Sequence, residues 1–291
     1  MERDQAAKLR TQLESNRTMQ PARTIAIASG KGGVGKSNVA LNFSLELLNH
    51  GQKVLLFDLD IGMGNLDILL GAAPEATIVD MLSDHLRIHD IMETGPRGLA
   101  YVAAGSTLND FFRLEQDQKE YFFQQYEELT HLYNYIIFDM GAGASEDMLA
   151  FVMAADECLV VTTPEPTSIT DAYGLIKHIV HSRPKMPVSV MMNRSASMKS
   201  GQKALIRFHR VIMQFLGREI RMLGILPEDK AVMSAVIRQT PYVLLNDKAA
   251  VSKAMKKIAR HYLADRSKLT NDKMSESFVQ KLKKMMVGDF L

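Results

Sequence analysis

Gly30-Lys31-Gly32-Gly33-Val34-Gly35-Lys36-Ser37 is the stretch on which the reading of this chain turns. These eight residues match the phosphate-loop pattern G-x-x-x-x-G-K-[ST]. Its glycines let backbone N–H groups approach phosphate oxygens, and the helix that follows presents its positive N-terminal end to them. The motif has meaning only between a strand and a helix. Thr24-Ile25-Ala26-Ile27-Ala28 reads as that strand, and the stretch 38–49 as that helix. In such a loop Lys36 reaches the β- and γ-phosphates, and Ser37 offers its hydroxyl directly to Mg²⁺.

Outward from the loop, short apolar runs alternate with longer stretches of helical period. The further candidate strands are Val54-Leu55-Leu56-Phe57, Leu99-Ala100-Tyr101-Val102, Tyr135-Ile136-Ile137-Phe138, Glu157-Cys158-Leu159-Val160-Val161, Val188-Ser189-Val190-Met191-Met192 and Met222-Leu223-Gly224-Ile225-Leu226. Candidate helices include 116–132, 169–181 and 204–216. Continuous apolar strands are buried on both faces, as in a parallel sheet covered by helices. The expectation is an α/β fold, a doubly wound and mostly parallel β-sheet flanked by helices. Ligands of such sheets bind beyond the carboxyl ends of the strands.

Bulk properties exclude several classes. A chain of 291 residues, 46% of them hydrophobic, can bury a core without disulfide or metal staples. Cys158 is the only cysteine, so one chain cannot form a disulfide or a multi-cysteine metal site. Such sparing use fits a reducing cytoplasm. The polar start Met1-Glu2-Arg3-Asp4-Gln5 is unlike a signal peptide, and no apolar run approaches the roughly 18 residues of a membrane span. The net charge of +2 argues for nucleic-acid binding only where basic residues cluster on one face.

Acidic residues end two of the strands. Asp58-Leu59-Asp60-Ile61-Gly62-Met63-Gly64-Asn65-Leu66-Asp67 closes the second strand, where carboxylates near a phosphate loop hold Mg²⁺ or orient a water. The same acids also suit helix caps, a role that fits Asp67 best. Ile136-Ile137-Phe138-Asp139 is an apolar strand ending in Asp, which brings Asp139 to the Mg²⁺ hydration shell.

The loop resembles the deviant phosphate loop of the MinD/ParA ATPase class, KGGVGKS, in which the extra lysine contacts the partner's ATP across a dimer interface. Carried to this chain, the resemblance makes Lys31 a residue acting in trans on developing charge, where an exposed loop lysine is the plainer reading. It makes Asp60 the residue that positions the attacking water. Asp58, Asp60 and Asp139 would meet Mg²⁺ through water, with Asp58 supporting either the metal shell or the loop. The run Asp139-Met140-Gly141-Ala142-Gly143 resembles the second switch of the class. Met191-Met192-Asn193-Arg194 and Leu223-Gly224-Ile225-Leu226-Pro227-Glu228-Asp229 resemble the two sides of its base pocket. There Asn193 hydrogen-bonds adenine, and Arg194, Pro227, Glu228 and Asp229 complete the nucleotide set. A strand-end turn at Asn193 is the local alternative. Asn38 stands where many members carry a hydroxyl residue, so the contact to the α-phosphate differs. The resemblance spans roughly residues 24–265 and implies ATP, ADP and Mg²⁺ as ligands, ATP hydrolysis and an ATP-dependent homodimer.

Within that class the chain is similar to the FlhG (YlxH) family of MinD-like ATPases, which control flagellar number and placement. Asp4-Gln5-Ala6-Ala7-Lys8-Leu9-Arg10 resembles that family's N-terminal motif, D-Q-A-x-x-L-R. The resemblance implies that residues 1–22 form an arm stimulating the GTPase FlhF, with Asp4, Gln5, Ala6, Leu9 and Arg10 as its contacts. It also implies flagellar switch-complex proteins as partners. Residues 23–265 would then be the ATPase domain, and 266–291 a linker and a terminal amphipathic helix. On that helix Phe278, Leu282, Met285 and Met286 share a face, with Val279 at its edge and Lys281, Lys283 and Lys284 beside it. This is the pattern of a helix lying in an anionic membrane surface. A helix packed on the body gives the same pattern, and the two states can alternate. The protein is therefore expected in the cytoplasm, peripherally on the membrane when dimeric with ATP. The competing readings are a ParA-type DNA-partitioning ATPase and a MinD-type division-site ATPase. No sequence-specific nucleic acid is expected. An iron-protein relative would need paired cluster-ligating cysteines, and Cys158 is alone.

Overall fold

In the computed structural model, residues 21–60, 66–104, 115–143, 146–268 and 276–286 are described. In chain order they form β1 (Arg23–Ser29), α1 (Lys36–Asn49), β2 (Val54–Leu59), α2 (Leu66–Leu70), α3 (Ile78–Asp84), α4 (Ile88–Ile91), β3 (Met92–Thr94), β4 (Ala100–Val102), α5 (Gln116–Leu129), β5 (Tyr135–Ala142) and α6 (Glu146–Ala154). There follow β6 (Glu157–Thr162), α7 (Pro166–Ser182), β7 (Val188–Ser195), α8 (Met198–Leu216), β8 (Arg221–Pro227), α9 (Lys230–Ile237), α10 (Tyr242–Leu245), α11 (Ala250–Lys268) and α12 (Phe278–Met286). The expected arm contacts Asp4, Gln5, Ala6, Leu9 and Arg10 lie outside the described residues, as do 61–65 of the first switch.

The eight strands form one sheet in the order β3-β4-β2-β5-β1-β6-β7-β8. Every pairing is parallel except β3 with β4. This is the expected doubly wound sheet. Strand side chains alternate between faces, so the continuous apolar runs feed two cores at once. Ala26, Ala28, Phe57, Ile136, Phe138 and Val160 enter one core beneath α3 to α8 and α12. Ile25, Ile27, Leu56, Ile137, Leu159 and Val161 enter the other beneath α1, α2 and α9 to α11.

Each strand read from the sequence is present, and several run further. β5 continues to Ala142 because Ser29 still pairs with it, and β7 continues through Arg194 because Ser195 pairs with Pro227. Helices begin earlier than their apolar period does. α7 starts at Pro166, where proline suits the first turn, and α8 starts behind a Ser197–Ser200 capping box. The short antiparallel edge strand β3 carries no apolar run and was not foreseen. α11 runs on to Lys268, so the expected boundary at residue 265 falls inside a helix. α12 is not set apart from the body either, since Phe278, Val279 and Leu282 belong to the first core.

Candidate functional site

The phosphate loop joins β1, the middle of the sheet, to α1, and its shape depends on particular glycines. Gly33 and Gly35 have φ of 76° and 88°, a left-handed region that side chains strain to enter. Gly30 has another reason to be glycine. A Cβ there would lie 2.3 Å from the backbone carbonyl of Asp171, so the loop's first residue packs directly on α7. Further contacts fix the loop from outside. Asn193 Nδ2 donates to the Val34 carbonyl at 2.8 Å, and Arg194 Nη1 to that of Gly33 at 3.2 Å. The Gly143 N–H donates to Ser29 O at 3.2 Å, joining the second switch to the loop.

Lys36 is buried and faces two carboxylates, Asp139 Oδ1 at 2.6 Å and Asp60 Oδ2 at 3.4 Å. Three stretches far apart in sequence therefore meet at one ammonium group. Complete burial pushes the Asp139 carboxyl above the usual range, against the pull of Lys36 and the Ser37 hydroxyl. Asp139 Oδ2 has no hydrogen-bond partner among the described residues. A buried carboxylate oxygen without a donor, beside Ser37, fits the hydrated Mg²⁺ of a phosphate-loop site. Asp58 has a different surrounding. It accepts the N–H groups of Asp60 at 3.0 Å and Leu66 at 3.2 Å, so it holds the two ends of the first switch. Burial and the neighbouring Asp139 push its carboxyl up to about 7, while those two N–H bonds pull it down. Of the two roles open to Asp58, loop support is the one with visible contacts. Asp67 accepts from the N–H of Ile68 in the first turn of α2, as a terminal helix acid does.

Lys31 is exposed. Its Nζ donates to Thr167 Oγ1 at 2.8 Å and lies 3.6 Å from Glu165, both at the start of α7 of its own chain. Neither partner was foreseen.

Two adjoining clefts run over these residues. One, of about 360 Å³, is lined by the loop from Gly32 to Asn38 together with Ser29, Asp60, Ile68, Leu69, Ala142 and Val236. The other, of about 390 Å³, brings together Asn38, Asn193, Arg194, Pro227, Glu228 and Asp229, all named from sequence. Its apolar walls Val232, Met233, Tyr242 and Val251 come from α9 to α11 and were missed, because nothing in those helices marks them. Asp229 has a structural task there. Its carboxylate takes the N–H groups of Ala231 at 3.0 Å and Val251 at 3.2 Å, fastening the starts of α9 and α11. A capping acid before the helical run at Lys230 was readable in the sequence, and it explains Asp229 better than contact with a base.

The terminal helix is docked on the body, one of the two states its pattern allows. The face assigned to a membrane is covered: Phe278, Val279 and Leu282 are buried and Met285 is half-buried, while the Met286 side chain is outside the described set. The Phe278 ring lies 4.8 Å from Tyr126 and 4.9 Å from Phe138, the residue before Asp139. This aromatic floor buries the same stripe that a bilayer would.

A parallel sheet wound on both sides of a central phosphate loop, with a lysine bridging two strand-end carboxylates, defines a P-loop NTPase. The ParA family model, described as "NUBPL iron-transfer P-loop NTPase", matches residues 20–263, and the chain belongs to this family. It is similar to the antiactivator FleN of Pseudomonas aeruginosa, 33% identical over 84% of this chain and 87% of that protein. It is also similar to the flagellum site-determining protein YlxH of Helicobacter pylori, 32% identical over 74% and 72%. Among solved structures, the MinC:MinD cell division complex of Aquifex aeolicus superposes with a TM-score of 0.67 at 30% identity, covering 84% of this chain and 96% of that one. The likeness thus extends to MinD and to a flagellum site-determining protein. The iron-transfer part of the family description finds no thiolate pair here, since Cys158 is single and buried.

Proposed function

We propose that this protein is a MinD-like ATPase that dimerises around ATP, associates with the membrane through α12 and regulates flagellar number or placement. The observation that carries the reading is the meeting of Lys36, Asp60 and Asp139 under the phosphate loop. ATP phosphates would displace the Lys36 contacts and take its charge. Ser37 would ligate Mg²⁺, and Asp139 and Asp60 would hold its water shell and the attacking water. Bound Mg²⁺ supplies Lewis-acid neutralisation of phosphate charge. Lys31 would leave Thr167 to meet the partner's nucleotide, a short move for an exposed side chain.

Dimerisation and docking of α12 are linked in this reading through the second switch. Phe278 stacks on Phe138, one residue before Asp139, and α12 packs along α6, which follows the switch. A change at the γ-phosphate would therefore reach the floor of the docking slot. Freed, the stripe Phe278, Val279, Leu282, Met285 and Met286 would enter the lipid surface, and two copies in a dimer would reinforce one another. Residues 1–22 would act as a separate arm on the partner GTPase FlhF, and switch-complex proteins would be further partners. Similarity to FleN and YlxH supports the flagellar role over the division-site alternative.

The test is ATP turnover together with sedimentation velocity. Wild type is expected to hydrolyse ATP, and Asp60→Ala to accumulate as an ATP-bound dimer. A chain that stays monomeric with ATP and releases no phosphate contradicts the reading. A second reading, non-specific DNA binding of the ParA type, has one observation in its favour. Lys199, Lys203, Arg207 and Arg210 follow one another at helical spacing along α8 and are exposed without an ion pair to any described acid. Duplex binding that weakens steeply with salt would bring that reading forward.

A further inference from the structure

α12 presents three lysines inside its described length, and each is engaged while the helix is docked. Lys281 Nζ lies 2.6 Å from Asp156 Oδ1, with both side chains largely buried. Lys283 stands 5.0 Å over the Phe123 ring of α5, and Lys284 pairs with Glu276 at 2.6 Å. Asp156 is the fixed half of the first pair. It lies in the turn between α6 and β6, where its Oδ2 accepts the N–H of Thr24 at 2.9 Å and the Thr24 hydroxyl at 2.8 Å. Those bonds come from the foot of β1, the strand that leads to the phosphate loop, and they leave Oδ1 for Lys281. Arg183 and Arg23 are the other cations nearby, but Arg183 Nη1 donates to the carbonyls of Met153 and Ala155, and Arg23 pairs with Glu157 at 2.8 Å. Undocking α12 therefore strips a buried carboxylate of its cation.

We propose that Asp156 and Lys281 form a latch that holds α12 on the body, and that an anionic lipid surface unfastens it by competing for the helix's lysines. The inference rests on the reading of α12 as a membrane-contacting helix and adds the regulation of that contact. Apolar burial alone would make docking indifferent to charge. With the latch, docking hides Lys281 while Lys283 and Lys284 stay exposed, so lipid phosphates can reach the outer two lysines first and release adds the Lys281 charge to theirs. The docked and released populations then respond to anionic charge density directly, beside any control by nucleotide. Removing one member of a buried pair shifts such a balance on the order of a hundredfold, whereas neutralising both members together leaves no stranded charge.

Hydrogen exchange of residues 276–286 in the nucleotide-free full chain tests the latch. Lys281→Met is expected to speed exchange there about a hundredfold, while exchange in β1 and β5 stays unchanged. Lys281→Arg should stay near wild type, and the double variant Asp156→Asn/Lys281→Met should return to within a few-fold of it. Wild-type exchange rates in Lys281→Met, a double variant as loose as the single one, or a parallel rise throughout the core would each overturn the latch. The competition is tested in the ADP state on phosphatidylcholine vesicles with a rising phosphatidylglycerol fraction. Exchange in α6, which α12 covers when docked, should rise with anionic fraction in wild type and rise less steeply in Lys281→Met, although that variant is looser in solution. A flat wild-type response overturns the competition. Failure of the wild type to reach vesicles in any nucleotide state strikes the proposed function instead, and the solution exchange still decides the latch.

Discussion

Replacing Lys36 with Met would do more than remove a phosphate ligand. The ammonium group is buried 2.6 Å from Asp139, itself fully inaccessible, and 3.4 Å from Asp60. Met retains the stem's packing and deletes the charge, so the nucleotide-free protein keeps its shape but holds a carboxylate without its cation. Breaking one side of a buried pair costs about 3–5 kcal/mol. At about 2–4 °C per kcal/mol for chains of this size, melting falls on the order of 10 °C. The deficit has a pH signature. Burial already raises the Asp139 carboxyl, and loss of Lys36 removes the first pull in the other direction. Above its unfolded pKa of about 3.9 the folded state then holds a proton the unfolded state has lost, so stability falls as pH rises through that window. The gap between variant and wild type should be widest near pH 8 and narrow toward pH 5. Thermal unfolding after nucleotide removal reads it, and Lys36→Met/Asp139→Asn should recover much of the loss. Equal melting at pH 8, or a deficit independent of pH, would refute the reasoning.

Asp60→Ala should retain ATP binding while turnover drops by roughly 10²–10⁴-fold, the range of a lost acid–base or water-orienting group; phosphate release reads it, and unchanged turnover removes the assigned role. Asn193→Ala loses the bond to Val34 as well as the proposed base contact, so ATP affinity should weaken about five-fold to ten-fold, near the worth of one hydrogen bond; calorimetric titration at wild-type affinity would reject it. Gly30→Ala puts a methyl 2.3 Å from the α7 backbone and should destabilise by about 1–3 kcal/mol in urea unfolding. Wild-type stability there would mean that loop and helix are not in contact. Deleting residues 1–22 should spare ATP turnover and abolish stimulation of FlhF GTPase activity; full stimulation by the truncated chain would dismiss the arm as activator.

The parts of the site legible in the sequence are those whose chemistry is local. Gly33 and Gly35 stand where a tight loop needs positive φ, and Asp60 and Asp139 end apolar strands, so parallel pairing carries them to the same sheet edge as the loop. The second cleft was half legible. Asn193 and Pro227 sit at strand ends and were singled out, whereas Val232 and Tyr242, which line the same cleft, lie on helices whose apolar residues look like any others. Gly30 was read as a phosphate contact, and its approach to Asp171, distant in sequence, was invisible. The stripe of α12 was read correctly as a stripe, but helical period records only that a face must be buried. Phe138, Tyr126 and Asp156, the residues that cover it here, announce nothing in their own segments. The edge strand β3 escaped because a short strand with one neighbour needs no apolar run.

The most direct measurement of the central claim is co-sedimentation of the full chain with anionic vesicles, compared between ATP and ADP, with Leu282→Glu as control. Leu282 is fully buried in the docked helix and lies on the stripe that would enter lipid. The account predicts strong pelleting with ATP, weaker pelleting with ADP that grows with the anionic fraction, and none in either state for Leu282→Glu. Equal pelleting with both nucleotides, or ATP-dependent pelleting that survives the substitution, would contradict a nucleotide-controlled membrane helix.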